Sequence, residues 1–408
     1  MTAPAREELL ALAAASGHPV VDLTLGVADP VPGLRLPGPG RLPAHGYPPS
    51  AGTEELRAAA AGYLRRRFGV DLPRGAVAAC AGAKEFISTA VLFLGTRDGE
   101  RDTDGQRDTV LVPALRYPAY GTGAELAGCR IHQVPLDSEF RLILDAVPAA
   151  VVRRARALWV NSPANPTGAV EELAGVVRWG RERRIPVLSD EAYAETTWSR
   201  APVSALQYGT EGVLAVHSLA KRSNAPGLRT GFYAGDPALV ARLVTARRAA
   251  GLMASAESQA LAAALLDDDG HARVQREHNA RRMRELAALL DGSGVPVRRP
   301  DGGLFLWVRA PGADGSRFAA WAARTCGLVV MPGRAYGLRG QPYVRIAAIR
   351  DGAHLTRAFA LLAEHLPAFA ATSATAPPAP PASPAAPSPT SPPSPSSRPS
   401  PPKEHATP

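Results

Sequence analysis

The chain has 408 residues, 46 of them lysine or arginine against 37 acidic, a formal charge of +9, and is 46% hydrophobic. That length can bury a large core and divide into two domains, and no apolar run reaches the roughly 20 residues a membrane span needs. The first residues lack the basic stretch and apolar core of a secretion signal, so a cytoplasmic protein is expected, with no membrane partner. Three cysteines, Cys80, Cys129 and Cys326, lie far apart without metal-ligand spacing, which argues against a disulfide framework and a metal site. The arginines are scattered along helical stretches without a basic cluster interleaved by aromatics, so no nucleic-acid partner is expected.

Apolar strands alternating with amphipathic helices indicate an α/β fold. A short helix from Arg6 to Ala15 leads to the apolar run Val20 to Gly26 and then to a loop rich in proline and glycine. Thr53 caps a helix continuing to Phe68. Val77 to Cys80 reads as a strand, and the turn at Ala81-Gly82-Ala83-Lys84 opens a helix whose small residues would let backbone N–H groups approach a phosphate. Thr96 to Asp108 is polar and loop-like, and Thr109 to Pro113 is a strand followed by Tyr117-Pro118-Ala119-Tyr120. A strand from Ala157 runs into Asn161-Ser162-Pro163-Ala164-Asn165-Pro166-Thr167-Gly168, a rigid turn that would present the Asn165 amide as a donor. A helix from Val170 to Arg184 leads to the strand Ile185 to Asp190, followed by Glu191-Ala192-Tyr193. A carboxylate at a buried strand end is costly unless paired, so Asp190 calls for a cationic partner.

The next apolar run, Gly212 to Val216, places Ser218 and Lys221 at another strand end, where α/β enzymes hold their chemistry. The chain contains only three lysines, Lys84, Lys221 and Lys403, against 43 arginines. Guanidinium cannot be deprotonated to attack a carbonyl and an ε-amine can, so Lys221 is the candidate imine-forming residue. Ser218 and Arg229 lie at spacings that could grip an anion beside it, the layout of a pyridoxal phosphate site. Helices over Pro237–Arg248, Ala256–Leu266 and His271–Leu290 follow, then the segments Gly302 to Val308, Val329 to Gly333 and Pro342 to Ala347. From Ala370 onward nearly every residue is Pro, Ala, Ser or Thr, a tail expected to be disordered.

Residues Ser218 to Gly231 form the pattern S-x-x-K-x-x-x-x-x-G-x-R-x-G, which resembles the lysine segment of class I/II aminotransferases of fold type I. The resemblance extends to Tyr47-x-x-x-x-Gly52-x-x-x-Leu56-Arg57, to the N-x-P-x-N-P-T-G turn and to the Gly302-Gly303-x-Phe305-x-Trp307 and Arg345-Ile346 segments, and covers about residues 20–365. It implies a large domain with a mostly parallel seven-stranded sheet between helices, and a smaller α+β domain. The division would be an arm at 1–45, a cofactor-binding domain at 46–265, a small domain at 266–369 and a tail at 370–408.

The resemblance also implies pyridoxal 5′-phosphate as cofactor and a homodimer with shared active sites. Lys221 would hold the cofactor and act as general acid and base, Asp190 would pair with the ring nitrogen, and Tyr193 and Asn165 would reach the ring oxygen. Gly82, Ala83, Lys84, Ser218 and Arg229 would surround the phosphate, with Tyr47 reaching the phosphate of the partner subunit. Tyr117 would stack on the ring with Tyr120 in support, or the reverse. Gly26, Asn165 and Arg345 would meet the substrate carboxylate. Arg116 to Tyr120, Leu214 to Asn224 and Ala250 to Met253 further resemble succinyldiaminopimelate aminotransferases of actinobacterial type, implying amino transfer between N-succinyl-LL-2,6-diaminopimelate and 2-oxoglutarate in lysine and diaminopimelate synthesis. Arg35, Arg116, Arg222 and Arg248 are candidates for the second carboxylate. The alternatives are an aspartate, aromatic or prephenate aminotransferase, or a decarboxylase of the same fold.

Overall fold

A computed structural model describes residues 6–24, 47–94, 96–97, 100–101 and 107–374. The strands of the large sheet are β1 (Val77–Cys80), β2 (Thr109–Pro113), β3 (Arg130–Val134), β4 (Ala155–Asn161), β5 (Val187–Asp190), β6 (Val213–Ser218) and β7 (Gly231–Gly235), and of these β3 corresponds to no apolar run. They form one seven-stranded sheet in the spatial order β1-β7-β6-β5-β4-β2-β3. Only β7 runs antiparallel to its neighbours, and every other pairing is parallel. The sheet is therefore mostly parallel, as expected, and its central strands are buried along their whole length because helices cover both faces.

Alternation along the strands divides the core between the two faces. Val110, Val112, Trp159 and Leu214 pack with helix α1 (Ala83–Leu94) on one side, whereas Leu111, Leu158, Val160 and Ala215 pack with the helices Glu54–Phe68 and Ala256–Asp267 on the other. Thr53 caps the first of these through Leu56 N, and Gly69 closes it in the left-handed conformation at φ 68°. Register brings Asn161 opposite Asp190, and Asp190 opposite Val216, so the carboxyl ends of β4, β5 and β6 lie side by side.

A separate buried cluster joins the N-terminal segment to the C-terminal third. Leu9, Ala13, Val21 and Leu23 pack with residues of the helices α2 (Asp269–Gly292), α3 (Gly315–Cys326) and α4 (Ala353–Ala374). Val21–Asp22 pairs in parallel with Leu328–Val329. The antiparallel strands β8 (Phe305–Arg309), β9 (Met331–Pro332) and β10 (Tyr343–Ala347) lie in the order β8-β10-β9. Helix α4 passes through Pro367 to Ala374, and Phe369 stacks on Trp321 at 4.4 Å. Ala370 to Ala374, expected as the start of a disordered tail, are thus helical because the preceding turn has aromatic surface to bury; residues 375–408 lie outside the described residues. No helix among the described residues is long and apolar enough to cross a membrane.

Candidate active site

The carboxyl ends of β4, β5 and β6, the start of α1 and the strands β8 and β10 enclose a cavity of about 310 Å³. Gly82, Ala83 and Lys84 line it from the turn into α1, Tyr117 from the loop after β2, and Asn165 from the turn after β4. Asp190, Tyr193, Ser218, Lys221 and Arg229 complete the large-sheet side, and Arg345 enters from β10. Of the other expected site residues, one falls outside the described residues and one stands away from this wall. Gly26 lies outside the described residues, and Tyr47 is 92% exposed and absent from the lining.

Asp190 ends β5 in a fully buried position. Its Oδ2 accepts from Tyr120 Oη at 2.7 Å and its Oδ1 from Ala192 N at 3.1 Å. Burial pushes its pKa up to about 6, against the pull of those two donors. Neither donor carries positive charge, so the carboxylate suits a cation delivered by a ligand. Tyr120 is itself wholly buried, stacked on Trp159 at 5.0 Å, while Tyr117 borders the cavity with its ring edge-on to Tyr120 at 6.1 Å. This separates the two tyrosines: Tyr117 faces the ligand space and Tyr120 holds Asp190.

Lys221 sits in the short helix Leu219–Arg222 directly after β6, its Nζ 5.7 Å from the Tyr193 ring centroid. Burial lowers its pKa to about 8, helped by Arg345 and opposed by Asp190. At neutral pH a useful fraction is therefore the neutral, nucleophilic amine. Tyr193 packs edge-on against Phe305 at 5.5 Å, and burial pushes its hydroxyl pKa well up, so it remains a proton donor.

The turn into α1 is shaped for an anion. Gly82 has φ +90°, and a Cβ there would stand 3.0 Å from Arg229 Nη2, so a side chain would fill the cradle. Glu85 fixes the turn: its Oε2 accepts from Ala81 N at 3.0 Å while both its oxygens accept from Arg247 at 2.7 Å. The helix N-terminus at Gly82 to Lys84 and Arg229 line the same cavity, and a helix N-terminus beside a guanidinium is the chemistry that suits a phosphate.

Arg345 is buried, lying 3.9 Å over the Phe305 ring and 4.9 Å over Tyr336. Its Nη1 donates to Asn165 Oδ1 at 2.8 Å and its Nη2 to the Thr24 carbonyl, while its buried Nε has no hydrogen-bond partner among the described residues. Because Asn165 Oδ1 accepts from Arg345, the amide presents Nδ2 as its donor end. Asn161 Oδ1 holds the Asn165 backbone N–H at 2.7 Å. The Tyr120, Phe305 and Thr24 contacts depend on partners far away in the chain, which no local pattern reveals, whereas Asn161 and Asn165 lie within one turn.

The four arginines proposed for a second carboxylate separate clearly. Arg222 is buried and donates to Leu265 O at 2.6 Å and Asp269 Oδ1 at 2.9 Å, so it is spent on the junction between helices and does not line the cavity. Arg248 is exposed near the end of the helix Pro237–Ala249 and also absent from the lining. Arg35 lies outside the described residues. Arg116 is half-buried beside the cavity-lining Tyr117 and, like Arg222 and Arg248, is absent from the lining itself, but its Nη1 is enclosed without a hydrogen-bond partner among the described residues.

A doubly covered, mostly parallel sheet with a lysine, a buried carboxylate and an anion cradle converging at its strand ends defines an α/β enzyme that works on carbonyl and amine groups through a phosphorylated cofactor. The chain belongs to the family described as aminotransferase class I and II, which matches residues 42–360. It is 41% identical over 345 residues to the 4-dedimethylamino-4-oxo-anhydrotetracycline transaminase OxyQ of Streptomyces rimosus, covering 82% of this chain and 90% of that one. It is 34% identical over 317 residues to LL-diaminopimelate aminotransferase 2 of Trichormus variabilis, covering 74% and 78%. A solved structure of a probable N-succinyldiaminopimelate aminotransferase from Thermus thermophilus superposes with TM-score 0.74 at 27% identity, covering 88% of this chain and 98% of that one. The fold is that of fold type I aminotransferases, and the family is pyridoxal phosphate-dependent. The Gly82 cradle, the uncompensated Asp190 and the depressed Lys221 amine fit that group.

Proposed function

We propose that this aminotransferase moves an amino group between glutamate and an amino or 2-oxo acid of diaminopimelate type, with the N-succinyl derivative as the preferred partner. The observation that carries the amino-acid reading is Arg345: a buried guanidinium beside Lys221 and Asn165 whose Nε is left without a partner among the described residues, which suits an α-carboxylate. Diaminopimelate is the substrate named for the Trichormus variabilis relative and, as its N-succinyl form, for the Thermus thermophilus structure.

When bound, pyridoxal phosphate supplies a carbonyl for amine attachment and a conjugated ring that accepts the electron pair left by the departing Cα proton. Lys221 would anchor it, then take that proton and return it on the product side as general base and acid. Asp190 would accept a hydrogen bond from the protonated ring nitrogen, which supplies the cation its burial demands. Asn165 Nδ2 and Tyr193 Oη would donate to the ring oxygen. Gly82, Ala83, Lys84, Ser218 and Arg229 would hold the phosphate, and Arg345 the substrate carboxylate. A homodimer accords with the exposed Tyr47, which does not line the cavity of its own chain and would serve the partner subunit.

Arg116 is the arginine we assign to the distal succinyl carboxylate, on the strength of an Nη1 without a hydrogen-bond partner among the described residues, next to Tyr117 at the cavity wall. A substrate panel with 2-oxoglutarate as acceptor tests the reading. N-succinyl-diaminopimelate should exceed its N-acetyl analogue at least roughly tenfold in kcat/KM, since an arginine–carboxylate contact is worth about 1.5–3 kcal/mol. A better rate with aspartate or phenylalanine would exclude the diaminopimelate assignment. The 41% identity to the Streptomyces rimosus enzyme favours a second reading, a 4-oxo-anhydrotetracycline-type acceptor, and that ketone belongs in the same panel.

A further inference from the structure

Helix α2 carries arginines on several sides, and their partners differ by face. Arg273 pairs with Glu277 at 3.3 Å, Arg281 with Glu285 at 3.5 Å and Arg282 with Asp351 at 3.1 Å. Arg276 and Arg284 have no ion pair with any described residue. These two lie eight residues apart on the stripe Arg276, Ala280, Met283 and Arg284, a spacing of about 12 Å along the axis with an apolar middle. The stripe forms one wall of a cleft of about 480 Å³ outside the active-site cavity; Trp198 and Arg299 form the opposite side. Arg299 likewise has no ion pair among the described residues, and Arg276 Nε is buried there without a hydrogen-bond partner.

Glu277 and Asp301 also line the cleft, but Glu277 is taken up by Arg273, so three arginines with no ion pair among the described residues leave an excess of positive charge around an indole and a methionine, which a fitting anion would reduce because each guanidinium keeps donors to spare. The far wall is mechanically tied to the catalytic cavity. Thr197 bridges Gly302, Trp198 N donates to Asp301 O at 2.7 Å, Trp198 Nε1 donates to Gly303 O at 2.9 Å, and Arg276 Nη2 donates to Thr197 O at 3.2 Å. One strand of this bridge continues back to Tyr193, and the other runs forward to Phe305, beneath Arg345.

From this juxtaposition we propose that the cleft between Trp198, Arg299 and the Arg276–Arg284 face of α2 is a second ligand site, for an organic dianion with a flat apolar body, whose occupancy alters turnover through the 196–199/301–303 bridge. A carboxylate, sulfonate or phosphate at each end would meet Arg276 and Arg284, with the body against Trp198 and Met283. Neither α2 arginine lines the catalytic cavity, but Arg276 also holds the Thr197 carbonyl of the bridge, so the response of each variant to the ligand is read against that variant's own basal rate.

The probe is 1,5-naphthalenedisulfonate, titrated calorimetrically into the holoenzyme saturated with pyridoxal phosphate, so that the phosphate cradle is already filled. One site per chain is expected, weakened at least roughly tenfold in the Arg276→Gln/Arg284→Gln double variant, the loss of a charge-assisted contact. An Arg153→Gln/Arg178→Gln control, removing two exposed arginines outside the cleft, should bind as the parent does. Saturating disulfonate should change kcat/KM for glutamate in the parent and leave the Arg276/Arg284 variant unchanged. Binding retained by that variant, binding matched by inorganic phosphate alone, or binding without any kinetic change overturns the proposal.

Discussion

Tyr120→Phe removes one oxygen and nothing else, since the ring remains stacked on Trp159 in a fully buried position. The lost contact is the 2.7 Å hydrogen bond to Asp190 Oδ2, donated to an ionised, buried acceptor. A hydrogen bond to a charged group contributes about 1.5–3 kcal/mol, equivalent to roughly 1–2 pKa units. The sign follows from which form is stabilised: Tyr120 donates to the carboxylate, so its removal favours the protonated acid and raises the Asp190 pKa above its present value of about 6. A protonated Asp190 no longer supplies the negative charge that holds the ring nitrogen in its protonated form. The acid limb of the kcat/KM profile should therefore move upward by about 1–2 pH units, with the alkaline limb in place. Rates over a pH series in the parent and variant, with melting recorded beside them, make the comparison. Superimposable acid limbs in two equally folded proteins would refute the role given to Tyr120.

Arg345→Lys keeps the charge but loses the fork that joins Asn165, Thr24 and an incoming carboxylate. A fall in kcat/KM for glutamate of roughly 30-fold or more is expected, from about 2–3 kcal/mol of charge-assisted contact, and steady-state kinetics check it. At the C-terminus, truncation after Ala374 should leave melting and turnover unchanged, whereas Phe369→Ala strips the ring from Trp321 and should cost about 3–5 kcal/mol by denaturant unfolding.

Much of the site was legible because its residues are anomalous where they stand. Asp190 is a carboxylate at the end of an apolar run, and Lys221 is one of three lysines in an arginine-rich chain; both needed a chemical reason, and both line the cavity. Strand β3 was not legible: Arg130-Ile131-His132-Gln133-Val134 is a sheet edge with exposed residues, so its composition lacks the continuous apolar signal of its neighbours. The motif leaves open which of Tyr117 and Tyr120 stacks and which supports, since no local pattern reveals that the Tyr120 hydroxyl reaches a carboxylate 70 residues on. Arg222 shows the opposite error. Adjacency to Lys221 suggested a substrate contact, but successive helical residues point about 100° apart, and its guanidinium instead holds the Leu265 carbonyl and Asp269. The composition shift at Ala370 hid the last turn of α4, which depends on the aromatic contact of Phe369 just before it.

Borohydride reduction of the holoenzyme followed by peptide mass mapping tests the role of Lys221 most directly, because the chain offers only two other lysines and one of them, Lys84, also lines the cavity. The reduced cofactor should be found on the peptide containing Lys221 and nowhere else, and the Lys221→Ala variant should carry no label and catalyse no transamination. Cofactor fixed on Lys84, or near-normal turnover without Lys221, would contradict it.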